Sequence, residues 1–537
     1  MLPFATQAPA GEAHPLLFLA LLVGLMLATI LMVGVGDRLK LPYPVLMVIV
    51  AVGIAFIPGF PYIEIPAELI LPIFLPPLLY ATAMKTSWSV FKIRWRSIVL
   101  LAVALVFLTV AIVAGITWLL VPSIGIPAAI ALGAMVAPPD PVAVESVAGR
   151  VHMPRRLITV LQSEGLFNDA AAIVIFQAAV AAAVSGEQVD GGVVAKFLIG
   201  AVIAVVMGLL MGLFTKAINH ITESAVARSA VTLVVPFAVY ILAETVHASG
   251  VIAVVVTALE IRRNSRPHDA EERLTSQSFW QVVELLVTGI AFGLVGLEIR
   301  HVIAVEGNDI VGMLIPAGIV CVAVVSIRAI WLSLLTIGNR RRNDGLPPTT
   351  GKDVVVLTWS GMRGLPTLAL ALALPVTLAD GTPFPGRDQI IVTACAVLLV
   401  TLVLPGLTLP WLMKKLDMAE SACVEKETEE VLAQRGQEAA LAALAESSVM
   451  QKLSDAQRDT IKNRLKHLRW DLSHEGEYEV YKAHQMDAHE TFVAAQTIAL
   501  DAAREEVLLA RSEPGTDPEI ADRVLRRLDL HTLLVED

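Results

Sequence analysis

The stretch Q-S-E-G-L-F-N-D-A-A-A-I-V-I-F, residues 162–176, combines polar and acidic residues with a long apolar run, and this combination decides how the rest of the chain is interpreted. It places Glu164, Asn168 and Asp169 inside an apolar run long enough to cross a lipid bilayer. A carboxylate at membrane depth costs about 2.5–3.5 kcal/mol on insertion scales, and such residues are usually functional. A second aspartate, Asp140, stands in the apolar run before it. The two aspartates predict a polar site inside a membrane protein.

Composition supports the membrane assignment. The chain has 537 residues, of which 56% are hydrophobic and 17% charged, and this excludes an ordinary soluble enzyme. Residues 416–537 hold 26 acidic and 14 basic side chains, a net of −12, so the rest of the chain carries +2 of the total of −10. Three scattered cysteines form no disulfide or metal-binding pattern, and basic patches with interleaved aromatics are missing. We therefore expect no cofactor and no nucleic-acid partner.

Thirteen apolar runs of about spanning length precede residue 416. They lie at 15–36, 43–60, 66–84, 97–121, 126–149, 157–185, 193–215, 229–247, 249–261, 279–299, 309–337, 353–379 and 389–413. The loops on one side hold 21 lysines and arginines and those on the other side hold 3. By the positive-inside rule this alternation predicts thirteen transmembrane helices in the plasma membrane, with the N-terminus outside and the C-terminus cytoplasmic.

Two domains follow from the change in composition. Residues 1–415 form the predicted transmembrane domain, and residues 416–537, rich in Ala, Glu, Leu and Arg, form a cytoplasmic helical domain that we expect to be regulatory. Asp517, Pro518 and Glu519 have the pattern of an N-cap, a first-position proline and an acidic first turn, so a last helix is expected to begin there.

Asp140 lies in A-P-P-D-P-V-A, residues 137–143. Pro138, Pro139 and Pro141 interrupt the helix, and backbone carbonyls freed at mid-membrane are tolerated where they are buried in protein or line a cavity. Transporters hold cations at such breaks with carboxylates and carbonyls together. The alternative is a proline kink with a buried aspartate bonded to the backbone.

Asp169 is predicted to be the carboxylate that carries protons. Desolvation disfavours its charged form, so it can hold either a proton or a sodium ion, and that competition couples the two fluxes. Asn168 cannot titrate and is interpreted as a hydrogen-bonding organiser of the site, with Asp140 as a candidate partner. The alternative is a polar contact between helices.

Glu164 lies one helical turn before Asn168. A glutamate at this depth needs a partner, and Arg328 in the run V-V-S-I-R-A-I-W-L can supply it. We interpret the two as a structural ion pair that holds helices in place. A direct role for Glu164 in transport is the alternative.

A second interrupted helix is predicted in T-W-S-G-M-R-G-L-P-T-L-A-L-A-L-A-L-P, residues 358–375, where two glycines and a proline surround Arg363. An arginine there can neutralise helix C-terminal ends and free carbonyls where two breaks cross. Pairing with a carboxylate elsewhere is the alternative. The breaks fall in the fifth and twelfth runs, as two inverted repeats of runs 1–6 and 8–13 would require.

Four motifs in this order resemble the monovalent cation/proton antiporter family of NhaP-type bacterial antiporters and animal sodium/proton exchangers, most closely a bacterial branch with a helical tail. F-L-P-P-L-L-Y-A at 74–81 is similar to its LPPLLFE element, A-P-P-D-P-V-A to TDPVA, S-E-G-L-F-N-D at 163–169 to GESLLND, and S-G-M-R-G at 360–364 to GGLRG.

The resemblance implies thirteen spans, a homodimer, and elevator movement of a core domain against a dimerisation domain. It also implies cation binding at Asp140 and Asp169, with Asn168, Pro139 and Arg363 organising the site and a Glu164–Arg328 pair. An asparagine before the aspartate goes with electroneutral exchange in the family.

Three positions depart from the family pattern. Ala81 replaces a glutamate, Pro139 replaces a threonine and so keeps only a carbonyl, and Gly165 replaces a serine. The last two remove hydroxyl groups from the predicted coordination shell, which leaves the ion selectivity open.

The predicted function is secondary active exchange of Na⁺ for H⁺, with Li⁺ and K⁺ as further candidate cations and pH homeostasis as its purpose. A K⁺/H⁺ antiporter is the alternative within the class, because fewer hydroxyl ligands could suit a larger ion. A transport-inactive scaffold or sensor is an alternative from another class. An intramembrane aspartyl protease would need a G-x-G-D loop, which neither aspartate has, so an enzyme is not expected.

Overall fold

The computed structural model describes most of the chain, in segments: residues 15–56, 67–85, 103–140, 143–145, 153–185, 191–222, 224–263, 270–306, 310–342, 348–378, 380–418, 422–447, 450, 455, 457–461, 489–513 and 516–536. The predicted breaker Pro141 and parts of the runs at 43–60, 97–121 and 126–149 lie outside these residues.

Apart from one isolated β-bridge between Thr377 and Pro383, the regular structure of the described segments is helical. The helices are α1 Pro15–Leu39, α2 Tyr43–Ala55, α3 Ala67–Lys85, α4 Leu105–Leu120, α5 Ile126–Val136, α6 Arg155–Ser185, α7 Gly191–Ile221, α8 Ala225–Thr245, α9 Gly250–Arg263, α10 Ala270–Glu306, α11 Ile310–Arg342, α12 Gly351–Trp359, α13 Leu365–Leu372, α14 Arg387–Leu416, α15 Ala422–Glu446, α16 His489–Arg511 and α17 Pro518–Glu536.

Six of the described helices are long and apolar enough to cross a membrane, and they belong to α1, α7, α8, α10, α11 and α14. Their outward faces are apolar, as at Leu27, Leu210 and Val322, which are 57%, 60% and 68% exposed. Exposing such apolar faces to water would be unfavourable in free energy, whereas lipid tails solvate them without that cost. The fold is an all-α membrane protein. The thirteen crossings and the inverted repeats remain predictions.

Glycines allow several of these helices to pack backbone to backbone. A Cβ on Gly296 of α10 would lie 2.2 Å from the carbonyl oxygen of Ala51 on α2, and one on Gly208 of α7 would lie 2.8 Å from that of Ala253 on α9. Both distances are shorter than van der Waals contact, so a larger residue would push the helices apart. Close packing of this kind fixes α2 on α10 and α7 on α9.

Two chain segments are broken where the sequence predicts it. Helix α5 ends at Val136, and an irregular stretch leads to Asp140. Helices α12 and α13 are separated by the non-helical residues 360–364. The two breaks meet, because the Asp140 N–H donates to the carbonyl oxygen of Met362 at 2.7 Å. The contact joins positions more than 200 residues apart and forms the centre of the membrane part.

The C-terminal helices α15, α16 and α17 pack around an apolar core of their own, which includes Leu432, Leu444, Val507 and Val524. Inside it, Arg504 of α16 donates to Asp529 of α17 at 3.0 Å, and both side chains are 2% exposed. Asp517 caps α17 as predicted, since its Oδ1 accepts the N–H of Glu519 at 2.9 Å.

Helix α17 also contacts the membrane part. It packs against α10. Arg262, at the end of α9, donates to Asp522 at 3.4 Å, and Gln162 of α6 donates to Glu519. Gln162 lies seven residues before Asp169, so the tail reaches the helix that carries the predicted proton carrier.

Candidate ion-binding site

Asp140 lies at the N-terminus of α13. Its Oδ2 accepts the Leu365 N–H at 3.0 Å, and the side chain is buried. The first N–H groups of a helix have no partner within the helix, and the helix dipole favours a negative charge there. The carboxylate of one broken helix therefore caps the second half of the other.

Gly364 makes this contact possible. A Cβ built on it would lie 1.8 Å from Asp140 Oδ2, so any side chain would displace the carboxylate. Sequence reasoning used the glycine next to Arg363 only as a sign of a helix break. The signal for a closer role was its place directly before the apolar run of α13, but its partner lies 224 positions away in the chain.

Arg363 holds the other end of the crossing. Its Nε donates to the carbonyl oxygen of Val136 at 3.0 Å, and its guanidinium also donates to the carbonyls of Ala137 and Gly361. These oxygens lie at the C-terminal end of α5 and in the break before α13, where helical N–H partners are missing. Arg363 thus binds backbone carbonyls that the two breaks leave without helical partners. Asp140 instead binds a backbone N–H group at the start of α13.

Asn168 and Asp169 are buried on α6 beside the first break. The Asn168 Nδ2 donates to the Pro139 carbonyl oxygen at 3.4 Å, one residue before Asp140. Within the described part of the chain, Asn168 Oδ1 and Asp169 Oδ1 are buried without a hydrogen-bond partner. Buried polar atoms are nearly always satisfied, so two free oxygens on adjacent residues indicate a place for a cation or a proton.

Glu164 and Arg328 form a two-point ion pair. The Arg328 Nη1 and Nη2 donate to the two carboxylate oxygens at 2.6 and 2.9 Å, and the side chains are 1% and 2% exposed. Arg328 Nε also donates to the Leu357 carbonyl oxygen on α12 at 3.0 Å. Gly361 leaves room for this guanidinium, because a Cβ there would lie 2.5 Å from Arg328 Nε. The arginine links α6, α11 and α12.

Two departures from the family pattern, Pro139 and Gly165, lie in the segments that carry the site residues. The third, Ala81, is buried on α3 next to Tyr80, whose ring lies against that of Trp280 with centroids 4.8 Å apart and planes tilted by 34°. Pro139 contributes its carbonyl to Asn168. Gly165 lies on α6 between the ion pair and the unpartnered oxygens and brings no side chain.

The family described as "Sodium/hydrogen exchanger, transmembrane" matches residues 22–415, which include every residue discussed above except those of the tail. The chain belongs to this family. It is a multi-pass membrane protein, and its family is one of transporters.

Relatives with similar sequences include two bacterial proteins. The chain is 32% identical over 449 residues to an uncharacterised Na⁺/H⁺ exchanger of Mycobacterium tuberculosis, and the match covers 81% of each chain. It is 30% identical to the sodium, potassium, lithium and rubidium/H⁺ antiporter of Bacillus subtilis, over 94% of this chain and 76% of that one.

Among solved structures, the chain is similar to the sodium proton antiporter MjNhaP1 of Methanocaldococcus jannaschii. The TM-score is 0.57 at 21% identity, and the match covers 74% of this chain and 99% of the other. At this identity the likeness supports the fold alone.

Proposed function

We propose that the protein exchanges Na⁺ for H⁺ across the plasma membrane by secondary active transport. The observation that carries the proposal is the pair of buried, unpartnered oxygens on Asn168 and Asp169 beside two crossed helix breaks. An oxygen-lined site without a fixed cationic partner suits a hard monovalent cation. Asp169 binds either the cation or the proton, and the proton gradient drives the cation out.

The other site residues have organising roles in this proposal. Asn168 fixes the Pro139 carbonyl, Arg363 compensates the free carbonyls, and Asp140 joins the breaks and adds negative charge for the cation. The Glu164–Arg328 pair holds α6 against α11 and α12 and stays outside the chemistry.

Exchange is proposed to be electroneutral, one cation for one proton. Asp169 has a non-titrating neighbour in Asn168, so a single carboxylate next to the break exchanges its proton for a single cation. The arrangement is supported further by the family, in which this asparagine accompanies electroneutral exchange. Li⁺ and K⁺ are additional cargo, consistent with the four cations in the name of the Bacillus subtilis relative.

The wider organisation belongs to the same proposal. Thirteen helices in two inverted repeats would place the N-terminus outside and residues 416–537 in the cytoplasm, where that domain regulates transport. Two chains would form a homodimer, and α5, α6, α12 and α13 would move as one body in elevator fashion. The mutual hydrogen bonds of the two breaks support their moving together.

Transport by purified protein in proteoliposomes tests the function. An imposed pH gradient should dissipate when Na⁺ is added outside wild-type vesicles, with or without valinomycin and K⁺ to clamp the voltage. Asp169→Asn should abolish the response. A response to K⁺ but not Na⁺ would establish the K⁺/H⁺ alternative, and no cation response in wild type would leave a scaffold or sensor.

A further inference from the structure

Several threonine hydroxyls in the described helices donate to a backbone carbonyl of the preceding turn. On α14, Thr393, Thr401 and Thr408 each donate to the carbonyl oxygen four residues earlier, at 2.7, 2.7 and 2.6 Å. Such bonds satisfy a hydroxyl inside a helix at little cost. They need a continuous helix before the threonine.

Thr367 lacks this arrangement. It stands in the first turn of α13, so the residue four positions earlier, Arg363, lies in the break and not in the helix. Thr367 is 1% exposed, and within the described part of the chain its Oγ1 has no hydrogen-bond partner. Leaving a buried hydroxyl without a hydrogen-bond partner costs about 1–3 kcal/mol, so a binding partner is expected for this one. The break in the helix thus leaves this hydroxyl free for another partner.

Thr367 lies in the first turn of α13, the helix whose N-terminus binds Asp140. Helical side chains tilt toward the N-terminus of their helix, and the N-terminus of α13 is where Asp140 accepts the Leu365 N–H. Helix α13 packs against α5 and α6, the elements that lead to Asp140 and carry Asp169. Thr367 is the only residue of α13 with a polar side chain. Thr367 thus stands two residues after Leu365, whose N–H binds the Asp140 carboxylate.

The site needs such a group. Pro139 in the first break and Gly165 on α6 offer no hydroxyl, and a hard cation takes oxygen ligands. The unpartnered oxygens of Asn168 and Asp169 account for only part of a coordination shell. A hydroxyl from the opposite broken helix adds to it.

We propose that Thr367 is a cation-binding residue of this exchanger, and that its hydroxyl oxygen is a direct ligand of the transported monovalent cation. This rests on the proposed exchange of a cation for a proton. It assigns to the second broken helix an oxygen that the first break and α6 do not provide.

Two substitutions separate this role from packing. Thr367→Val keeps the shape and removes the hydroxyl, and Thr367→Ser keeps the hydroxyl. In proteoliposomes, the Na⁺ concentration for half-maximal transport should rise roughly tenfold or more in Thr367→Val, as for loss of one polar contact to a charged group. Thr367→Ser should stay near wild type. Thr117→Val is the control, since Thr117 Oγ1 is also buried and unpartnered in the described residues but lies near the end of α4.

Cation binding without transport gives a second measurement. Na⁺ should raise the melting temperature of detergent-solubilised wild type, Thr367→Ser and Thr117→Val, and the shift should be much smaller for Thr367→Val at equal Na⁺. Equal shifts and equal half-maximal concentrations in Thr367→Val and wild type would overturn the assignment. A wild type that Na⁺ stabilises but that moves no protons would instead contradict antiport, and the shift of Thr367→Val would still decide the role of the hydroxyl.

Discussion

At the scale of single residues, two buried carboxylates on α6 differ in what they touch. Glu164 has both oxygens bonded to Arg328, whereas Asp169 Oδ1 is unpartnered among the described residues. Burial of a charge is costly in either case, but only the paired one is compensated within the protein. In the proposed function the compensated residue stabilises the fold, and the uncompensated one binds the cargo ion.

Glu164→Gln should therefore lower stability strongly. It leaves Arg328 buried without its partner, and breaking a buried pair in this way costs about 3–5 kcal/mol. The melting temperature in detergent measures it, with Asp169→Asn expected to stay close to wild type. Glu260→Gln is the matched control, because Glu260 pairs with an arginine that is 67% exposed, and such pairs contribute about 1 kcal/mol or less. Equal melting shifts for Glu164→Gln and Glu260→Gln would contradict the structural role.

At the scale of elements, the two helix breaks act as one unit. Asp140 caps α13, and Arg363 binds the end of α5, so each break satisfies groups that the other leaves open. The prolines and glycines were enough to predict both interruptions. The pairing of Asp140 with Leu365 was not predictable, because spacing within each motif carries no information on contacts across 225 positions.

Gly364→Ala tests this unit. The added methyl would occupy the position of the Asp140 carboxylate, 1.8 Å from its Oδ2, so the cap on α13 is lost. Cation-driven proton movement in vesicles should fall below about a tenth of wild type, since a displaced buried charge costs more than the 1.4 kcal/mol that corresponds to tenfold. Gly318→Ala on α11, where nothing lies within 4 Å of the new Cβ, should transport normally. Full activity in Gly364→Ala would show that the contact is dispensable.

At the scale of the whole molecule, the C-terminal domain is joined to the membrane part through α17. Asp522 accepts from Arg262 of α9 and from Arg511 of α16, and Glu519 accepts from Gln162 of α6. Helix α17 thus contacts α6, which carries Asp169, as well as α9 and α16. If α6 moves during transport, as proposed, these contacts restrain the movement.

Asp522→Asn should loosen that restraint and speed transport. A partly exposed ion pair contributes about 1 kcal/mol or less, so the gain should be at most about fivefold. Initial rates in proteoliposomes measure it. Asp459→Asn makes the same charge change on an exposed part of the tail and should leave the rate unchanged. If the initial transport rate of Asp522→Asn is equal to or below that of Asp459→Asn, the contacts of α17 do not regulate transport.

Much of this organisation follows from the sequence, and what does not has a physical reason. Buried charges must be compensated, so Glu164 and Arg328 could be matched from depth alone. Backbone carbonyls freed by a helix break likewise need a partner, and Arg363 was predicted to supply it. In the structure Arg363 donates to the carbonyls of Val136 and Ala137. Partly exposed charges such as Asp522 can be compensated by water as well as by many partners, so the docking of α17 could not be foreseen.

Thr367 and Gly364 escaped sequence reasoning for a related reason. A threonine or glycine in an apolar run is common, and neither carries a charge whose burial needs explaining. The role of Gly364 depends on the Asp140 carboxylate beside it, and the proposed role of Thr367 depends on its place at the start of α13. Such contacts become visible only once the two breaks have been brought together.

The most direct test of the central claim is the pH dependence of the apparent Na⁺ affinity. If Na⁺ and H⁺ compete for Asp169, the half-maximal Na⁺ concentration of wild type should rise by about tenfold for each pH unit on the acid side, the slope for one exchanged proton, while the maximal rate at saturating Na⁺ stays nearly constant. Symmetrical pH on both sides of the proteoliposome and a ²²Na⁺ tracer make the measurement independent of the imposed gradient. A half-maximal concentration that does not change with pH, with only the maximal rate falling in acid, would contradict a shared carboxylate.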